Sequence, residues 1–375
     1  MKTGKLQIWV PELIAREGGI QSYSIEMVEA AAEILGPGRL TVLSKSDDPK
    51  ALGLWAGGRF ESRATGHIPD AARTPAFAGL LLRDGLAADP DLIISTHANF
   101  SPVARTLFRT RRIPAAIAAH GIEVWDLEPG RTRNSLIAAD TILPVSDHTK
   151  TRLMLELGLP EDRFQVIPDT FDPVRFSPGP VPAGLRERYG LKPSDQVLLC
   201  VSRLEASEQY KGYRQIIEVL PSLIRKIPAL KFLMVGRGND RPNVESQIRR
   251  LNLRDQVILA GFVPSQELAD HYRMADAFAM PSKREGFGIV YLEAMGCGKK
   301  CLGGNKDAAV DALRHGELGI LVDPDNLPEL EEGLFRLMTE PKPSAQEIHG
   351  QADGYFGRAS FRAKVKALLE GFGLR

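Results

Sequence analysis

Two glutamates, Glu285 and Glu293, stand on either side of a glycine-rich turn in the segment Pro281-Ser282-Lys283-Arg284-Glu285-Gly286-Phe287-Gly288-Ile289-Val290-Tyr291-Leu292-Glu293-Ala294-Met295-Gly296. The turn follows a predicted strand, Ala277–Met280, and opens a predicted helix, Val290–Gly296. Glycines there let the backbone approach a ligand closely, and the free N–H groups at the helix start favour an anion. A single glutamate is most often a solvated surface residue. Two carboxylates and an anion-binding turn at one end of a sheet point instead to a ligand site, because open α/β sheets bind ligands at that end.

The elements that must position these groups are legible as short apolar runs alternating with helical patterns. Predicted strands in the first half are Leu6–Val10, Leu40–Leu43, Leu92–Ser95, Ala115–Ala119, Thr141–Val145 and Phe164–Ile167. The second half repeats the scheme with Val197–Val201, Phe232–Val235, Val257–Ala260, Ala277–Met280, Lys300–Leu302 and Ile320–Val322. Most are solidly apolar, as expected of parallel strands covered on both faces. Gly212–Ile227, Ser265–Met274 and Val290–Gly296 fit between them as helices. This alternation implies α/β class: two Rossmann-like, doubly wound domains facing across a cleft. The run Ser177-Pro178-Gly179-Pro180-Val181-Pro182 can be neither helix nor inner strand, so the linker is expected there, with domains at 1–178 and 179–357. Phe361, Val365, Leu368 and Leu369 form one helical face in the last stretch, about 358–375, which pattern alone lets pack on either domain, including back onto the first.

The 375 residues suit two domains, and 43% hydrophobic with 25% charged residues excludes wholesale disorder. Forty-eight basic against 47 acidic residues leave a net charge of +1, no chain-wide footprint for nucleic acid. Three cysteines, Cys200, Cys297 and Cys301, are too few and odd in number for a disulfide framework and suggest a reducing compartment. The apolar run of Met1–Val10 is too short for a signal peptide, and no stretch approaches the roughly 20 apolar residues of a spanning helix. The chain therefore reads as cytoplasmic.

Taken in order, the segments resemble the retaining, GT-B-fold glycosyltransferases of family 4 (glycosyl transferases group 1), over almost the whole chain. Glu285 and Glu293 match that family's Glu-(x)7-Glu signature, the most specific of the likenesses. Val201-Ser202-Arg203-Leu204 followed by Tyr210-Lys211-Gly212 is similar to its "R-L … K-G" diphosphate clamp. Gly261-Phe262-Val263 resembles the strand end whose backbone holds the nucleobase, and Gly18-Gly19-Ile20 the glycine-rich loop after the first strand. His120-Gly121 with Glu123 resembles the first-domain "H-G-x-E" loop, and Val166-Ile167-Pro168 with Asp172 and Phe176 the entry to the linker.

The resemblance implies roles. Arg203 and Lys211 would bind the donor diphosphate, helped by the amides of Ile289 and Val290. Glu293 would bind the ribose hydroxyls. Glu285 and the amides of Gly286, Phe287 and Gly288 would hold the transferred sugar. His120 would reach that sugar from the facing domain, and Gly18 and Gly19 would approach the phosphate and leave room for the acceptor. Elementary electrostatics suits such a set. Breaking a sugar–diphosphate bond develops charge on the leaving oxygen, and fixed cations and aligned amides stabilise it where it appears. A lysine and an arginine can thus replace a divalent metal, and neither metal nor cofactor is expected.

The chain also departs from the family. An acidic insert, Glu205-Ala206-Ser207-Glu208, lies between Arg203 and Lys211. Gly303-Gly304-Asn305-Lys306-Asp307 stands where relatives carry a "G-G-x-x-E" loop but has no glutamate at that spacing, and Asp169 replaces a more usual Asn. Asp89-Pro90-Asp91 and Asp323-Pro324-Asp325 imitate metal-binding Asp-x-Asp pairs, yet their prolines mark turns. Gly296-Cys297-Gly298-Lys299-Lys300 ends a helix and reads as a C-cap rather than a phosphate loop. Cys297 and Cys301 read as core or near-surface thiols. His97 either lines the site or packs. The basic run Arg105, Arg109, Arg111 and Arg112 is either a solvated face or a contact for anionic lipid headgroups.

The expected activity is transfer of a hexosyl group from a nucleotide-diphospho-sugar (GDP-mannose, UDP-glucose or UDP-N-acetylglucosamine) to a saccharide or lipid-linked acceptor. The resemblance suggests cell-surface polysaccharide biosynthesis, with peripheral contact at the inner membrane surface left open by the arginine run. Two rivals share the architecture: a nucleotide-sugar 2-epimerase, which needs no acceptor, and a non-catalytic nucleotide-sugar sensor.

Overall fold

The computed structural model describes residues 4–341 and 343–375, which divide into two compact units. One runs to Thr170 and takes up Arg358–Arg375; the other is Phe171–Gly357.

The first unit is built on β1 (Leu6–Val10), β2 (Leu40–Ser44), β3 (Glu61–Ala64), β4 (Leu92–Ser95), β5 (Ala115–Ala119) and β6 (Thr141–Pro144), in the order β3-β2-β1-β4-β5-β6. The second uses β7 (Gln196–Val201), β8 (Leu230–Val235), β9 (Val257–Gly261), β10 (Ala277–Met280), β11 (Lys300–Gly304) and β12 (Gly319–Val322), in the order β12-β11-β10-β7-β8-β9. Read from its other edge, that order repeats the first. Every pairing is parallel, with Leu6 opposite both Leu40 and Leu92, and Ala277 opposite both Leu198 and Lys300. Each sheet reverses its winding beside its first strand, between β1 and β4 and between β7 and β10. That is the switch point at which such sheets hold ligands. β1 and β5 are buried throughout, as solid apolar runs covered on both faces require.

Two expectations are corrected. Phe164–Ile167 is not a strand but a single bridge from Phe164 to Ile142. Pro144 on the facing strand has no N–H to give, and Pro168 ends the run. β3, Glu61-Ser62-Arg63-Ala64, escaped the apolar pattern because it is an edge strand carrying charge, a common way of blunting an edge.

The change-over between units falls at Thr170/Phe171, ahead of the proline-rich run, which forms neither helix nor strand. The reason is local. Arg273 donates to the carbonyls of Ser177 (2.9 Å) and Arg175 (3.0 Å), and the Phe176 ring meets Tyr272 at 6.0 Å. These contacts fasten the segment before the prolines to the second unit.

The last helix, Arg358–Gly371, lies against Gly19–Leu35 in the first unit, with Phe361, Val365, Leu368 and Leu369 buried. The Phe361 ring stands edge-on to Tyr23 at 5.6 Å, Arg358 pairs with Glu26 at 2.8 Å, and Arg362 pairs with Glu33. Phe361→Ala removes a fully packed aromatic and is expected to cost about 3–5 kcal/mol of stability in urea unfolding. A loss below about 1 kcal/mol would show that this helix is only loosely attached.

Candidate active site

In the second unit, residues from five different loops gather at the carboxyl ends of the strands. After β7 the chain runs through Arg203 and a 3-10 segment, Ala206–Lys211, into the helix Tyr213–Lys226. Gly212 joins the two at φ +81°, and a Cβ there would lie 2.1 Å from the Pro281 carbonyl oxygen, so only glycine lets the β7 and β10 loops meet. Lys283 N–H donates to the Tyr210 carbonyl at 2.9 Å across the same junction. Gly236 N–H donates to the Gly261 carbonyl at 2.8 Å, tying the β8 and β9 ends.

Lys211 Nζ makes a direct ion pair with Glu285 Oε1, and both side chains are largely buried. Burial presses the lysine pKa downward, but the charge and hydrogen bond of Glu285 more than offset it, so Lys211 stays above the ordinary lysine value. Its ammonium also lies 5.5 Å from the centre of the Tyr210 ring. Arg203 pairs with Glu208 of the acidic insert while remaining 72% exposed. Both cations of the expected clamp are therefore occupied by carboxylates of the chain itself.

Glu285 is set in place from behind. Its backbone N–H donates to Asp307 Oδ2 at 2.7 Å, its carbonyl accepts from Ala308 N–H at 3.2 Å, and Asp307 Oδ1 takes the Ala309 N–H at 3.0 Å. Burial pushes the Asp307 carboxyl up to about 6, against the pull of the Glu285 amide. Sequence reasoning passed over Asp307 because it looked for glutamate at the family's spacing. The β11 loop reaches Glu285 with an aspartate.

The turn that follows exposes backbone donors. Gly288, at φ +95°, caps the helix Ile289–Gly296. The N–H groups of Gly286, Phe287, Gly288, Ile289 and Val290 have no acceptor among the described residues. Phe287 turns its ring inward onto Phe356 at 5.5 Å, leaving its amide as its offering to a ligand. Glu293, one turn into the helix, accepts from the Tyr272 hydroxyl at 2.8 Å, and burial pushes its carboxyl up to about 7 although that bond pulls it down. At the β9 end Phe262 is 58% exposed, and Arg237 from the β8 loop lies 4.8 Å above its ring. Beside it Gly261 holds φ +74°, and Val263 is partly exposed. Arg237 was not singled out in the sequence, since nothing there connects the β8 and β9 loops.

The first unit has a parallel arrangement. Gly18 and Gly19 open the helix Gly19–Leu35. The Gly18 backbone is extended, and a Cβ there would meet only the side-chain amide of Gln21. The loop before it is held by buried Asp47, which accepts from the N–H of Leu13 (2.7 Å), Ile14 (2.9 Å) and Ala15 (2.8 Å). No motif flagged Asp47. His120 N–H donates to Glu123 at 2.5 Å, and His120 Nε2 lies 2.8 Å from the Thr96 carbonyl. That bond assigns the proton to Nε2 and leaves Nδ1 as acceptor when the ring is neutral. The Tyr23 ring stands edge-on to His120 at 4.9 Å. His97 lines the same end of the sheet. Burial lowers its pKa, His120 and Lys45 add to the effect, and Glu123 opposes it.

Asp323 and Asp325 are held by Lys283 and Lys306 at 2.6–2.9 Å, and Asp325 N–H donates to Asp323 as a turn requires. Asp91 accepts from Lys5 N–H at 3.1 Å at the other such turn. Cys200, Cys297 and Cys301 are buried and form no disulfide. No helix among the described residues is long and apolar enough to cross a membrane.

Two doubly wound parallel sheets of the same winding order are the architecture of the GT-B fold. The chain belongs to the group 1 glycosyl transferases: residues 184–352 match the model "Glycosyl transferases group 1" and residues 17–175 match "Glycosyltransferase Family 4". It is 31% identical, over 88% of both chains, to the GDP-mannose-dependent alpha-(1-6)-phosphatidylinositol monomannoside mannosyltransferase of Mycolicibacterium smegmatis. It is 32% identical to the D-inositol 3-phosphate glycosyltransferase of Kineococcus radiotolerans, over 62% of this chain and 57% of that one. Among solved structures, Anabaena Alr3699/HepE in complex with UDP superposes with a TM-score of 0.77 at 20% identity, covering 98% of this chain and 100% of that one. Sucrose-phosphate synthase from Thermosynechococcus elongatus gives 0.78 at 18% identity, covering 98% of both.

Two buried acids titrate upward here, so the sign of their effect on stability is fixed. Each favours the folded state when protonated. Stability they contribute is full below the ordinary carboxyl range and is lost as pH rises through about 6 for Asp307 and about 7 for Glu293. Urea unfolding from pH 4.5 to 7.5 should show that decline, and Glu293→Gln should flatten its upper part. An unchanged slope in the variant would mean that Glu293 does not titrate in this window.

Proposed function

We propose that the protein is a retaining transferase that moves a hexosyl group from a nucleotide-diphospho-sugar to a saccharide or lipid-linked acceptor without a metal. The observation that carries this reading is the convergence of Lys211, Glu285 and the unpaired amides of Gly286–Val290 on one end of the second sheet. Lys211 and Arg203 take the diphosphate, assisted by the Ile289 and Val290 amides at the helix start. Glu285 exchanges its lysine for a sugar hydroxyl, Glu293 takes the ribose hydroxyls, and the Gly261–Val263 strand end lies against the base. His120 and the Gly18-Gly19 loop serve the sugar and the acceptor side. GDP-mannose is the first donor to try, since the 31% identical relative is named for it.

In the transfer, the bond from the anomeric carbon to the β-phosphate oxygen breaks and its electron pair stays on that oxygen. The acceptor oxygen then bonds to the same face of the sugar, and its proton passes to the departing phosphate. The products are the glycoside and the nucleoside diphosphate. Fixed positive charge from Arg203 and Lys211 meets the developing phosphate charge with no reorganisation. That is the support for metal independence. Lys211→Ala should lower kcat about 10²–10³-fold. Thermal stabilisation of the wild type by GDP or UDP should survive EDTA, and donor affinity should rise with pH through about 7 as Glu293 ionises. Unchanged transfer by Lys211→Ala would remove the lysine from the site, and EDTA-sensitive stabilisation would reinstate a metal.

The reading extends to location, at a cytoplasmic membrane face in envelope glycan or glycolipid assembly. Arg105, Arg109, Arg111 and Arg112 lie along and just beyond the helix Ser101–Arg111, and none has an ion-pair partner among the described residues. Basic residues near an anionic surface contribute about 1 kcal/mol each. Binding to phosphatidylglycerol vesicles should weaken steeply between 50 and about 300 mM salt, and Arg109→Gln/Arg112→Gln should weaken it further at low salt. Equal binding to neutral vesicles would exclude this face.

A further inference from the structure

Asp307 stands behind Glu285 with 1% of its surface exposed, and both of its carboxyl oxygens are committed as acceptors. Oδ2 takes the Glu285 N–H at 2.7 Å from the β10 loop, and Oδ1 takes the Ala309 N–H at 3.0 Å, two residues on. The second bond is an Asx turn, which fixes the side chain to its own backbone. The hydroxyl of buried Ser282 is hydrogen-bonded to the same carboxyl.

An ionised carboxylate accepts on both oxygens, whereas a neutral carboxyl turns one of them into an O–H donor. Two backbone N–H groups already face this side chain, so the neutral form sets donor against donor at one of them. The Ala309 bond closes a ring within one loop, while the Glu285 bond joins two loops, so the second gives way.

The ionised form is nevertheless costly. The Glu285 carboxylate faces Asp307 from the β10 loop, and the Tyr291 hydroxyl, from the helix Ile289–Gly296, is directed to the Met280 carbonyl. Lys306, the preceding residue, is taken by Asp323 (2.6 Å) and Asp325 (2.9 Å), and Lys211 is taken by Glu285. No ion pair among the described residues reaches Asp307. Burial and the neighbouring carboxylate raise its pKa to about 6. A group kept in a form that the fold disfavours points to function rather than to stability.

We propose that Asp307 is a positioning residue for the transfer: ionised, it sets Glu285 toward the transferred sugar, and on taking a proton it releases the Glu285 backbone and lets that carboxylate turn away. The inference rests on the transferase reading above and deepens it, since it makes the sugar contact depend on a residue that does not itself touch the sugar.

The test is isothermal titration of the wild type and Asp307→Asn, from about pH 5 to about pH 8, with GDP, GDP-mannose, UDP and UDP-glucose. Asparagine keeps the shape and one acceptor oxygen but places an NH2 group where the second oxygen stood, so it is a permanent copy of the neutral form. Wild-type binding of the accepted sugar nucleotide should strengthen as pH rises through about 6. At about pH 7.5 it should exceed that of the variant about tenfold, the effect of one hydrogen bond to a charged group. Near pH 5 the two proteins should agree. GDP and UDP carry no sugar and should bind both proteins alike at every pH. Glu293 acts on the nucleotide portion and cancels in the comparison.

Urea unfolding should move the opposite way. Wild-type stability falls through the same interval, and that part of the fall is missing in the variant, which stays at least as stable. A merely structural role would instead lower stability and the binding of all four ligands together. The same pH dependence of sugar-nucleotide binding in both proteins would overturn the proposal, as would loss of nucleoside diphosphate binding in the variant. If none of the four binds the wild type, the transferase reading fails, and hydrogen exchange then decides the role of Asp307. Amides of residues 285–290 should exchange faster in Asp307→Asn than in the wild type near pH 7.5, and equally near pH 5. Equal exchange at both would overturn the proposal.

Discussion

The buried pair of Lys211 and Glu285 sets the terms for the second unit. Removing two charges from water is expensive, and mutual attraction repays the cost only when the geometry is held and the remaining hydrogen bonds are met. The structure supplies that support from three strands. Gly212 lets the β7 loop touch Pro281, the Lys283–Tyr210 backbone bond locks the two loops together, and Asp307 holds the Glu285 backbone from the β11 side. Without those constraints the lysine and glutamate would relax into solvent. With them, the cation and the carboxylate stay paired in a buried position, and the unpaired amides of residues 286–290 follow directly in the chain.

The two units solve the same problem by the same device. Each is a parallel sheet of identical winding order, and each uses a buried aspartate after a strand to hold backbone N–H groups of its working loop: Asp47 for residues 13–15, and Asp307 for Glu285 and Ala309. A carboxyl group that accepts several backbone N–H groups ties together loop residues that have no partner of their own. It also leaves the other face of the loop free for a ligand. The acidic insert acts in the opposite direction. Glu208 holds Arg203, so the more exposed of the two cations is neutralised by a carboxylate of the chain itself.

Every strand except the edge strand β3, the α/β class and the segment from Glu285 to Glu293 were legible in the sequence alone, because parallel strands buried on both faces are solid apolar runs and a glycine-rich turn before a helix is a local pattern. The buried faces of the last helix were equally plain from Phe361, Val365, Leu368 and Leu369. Other features depended on neighbours that no local pattern encodes. The partner of that helix, the assignment of residues 171–176 to the second unit, the edge strand Glu61–Ala64 and the failure of Phe164–Ile167 to pair all follow from tertiary contacts. So do the pairing of Lys211 with Glu285, the stacking of Arg237 on Phe262 and the roles of Asp47 and Asp307. Each joins loops from strands far apart in the chain, and only the winding of the sheet brings their carboxyl ends together.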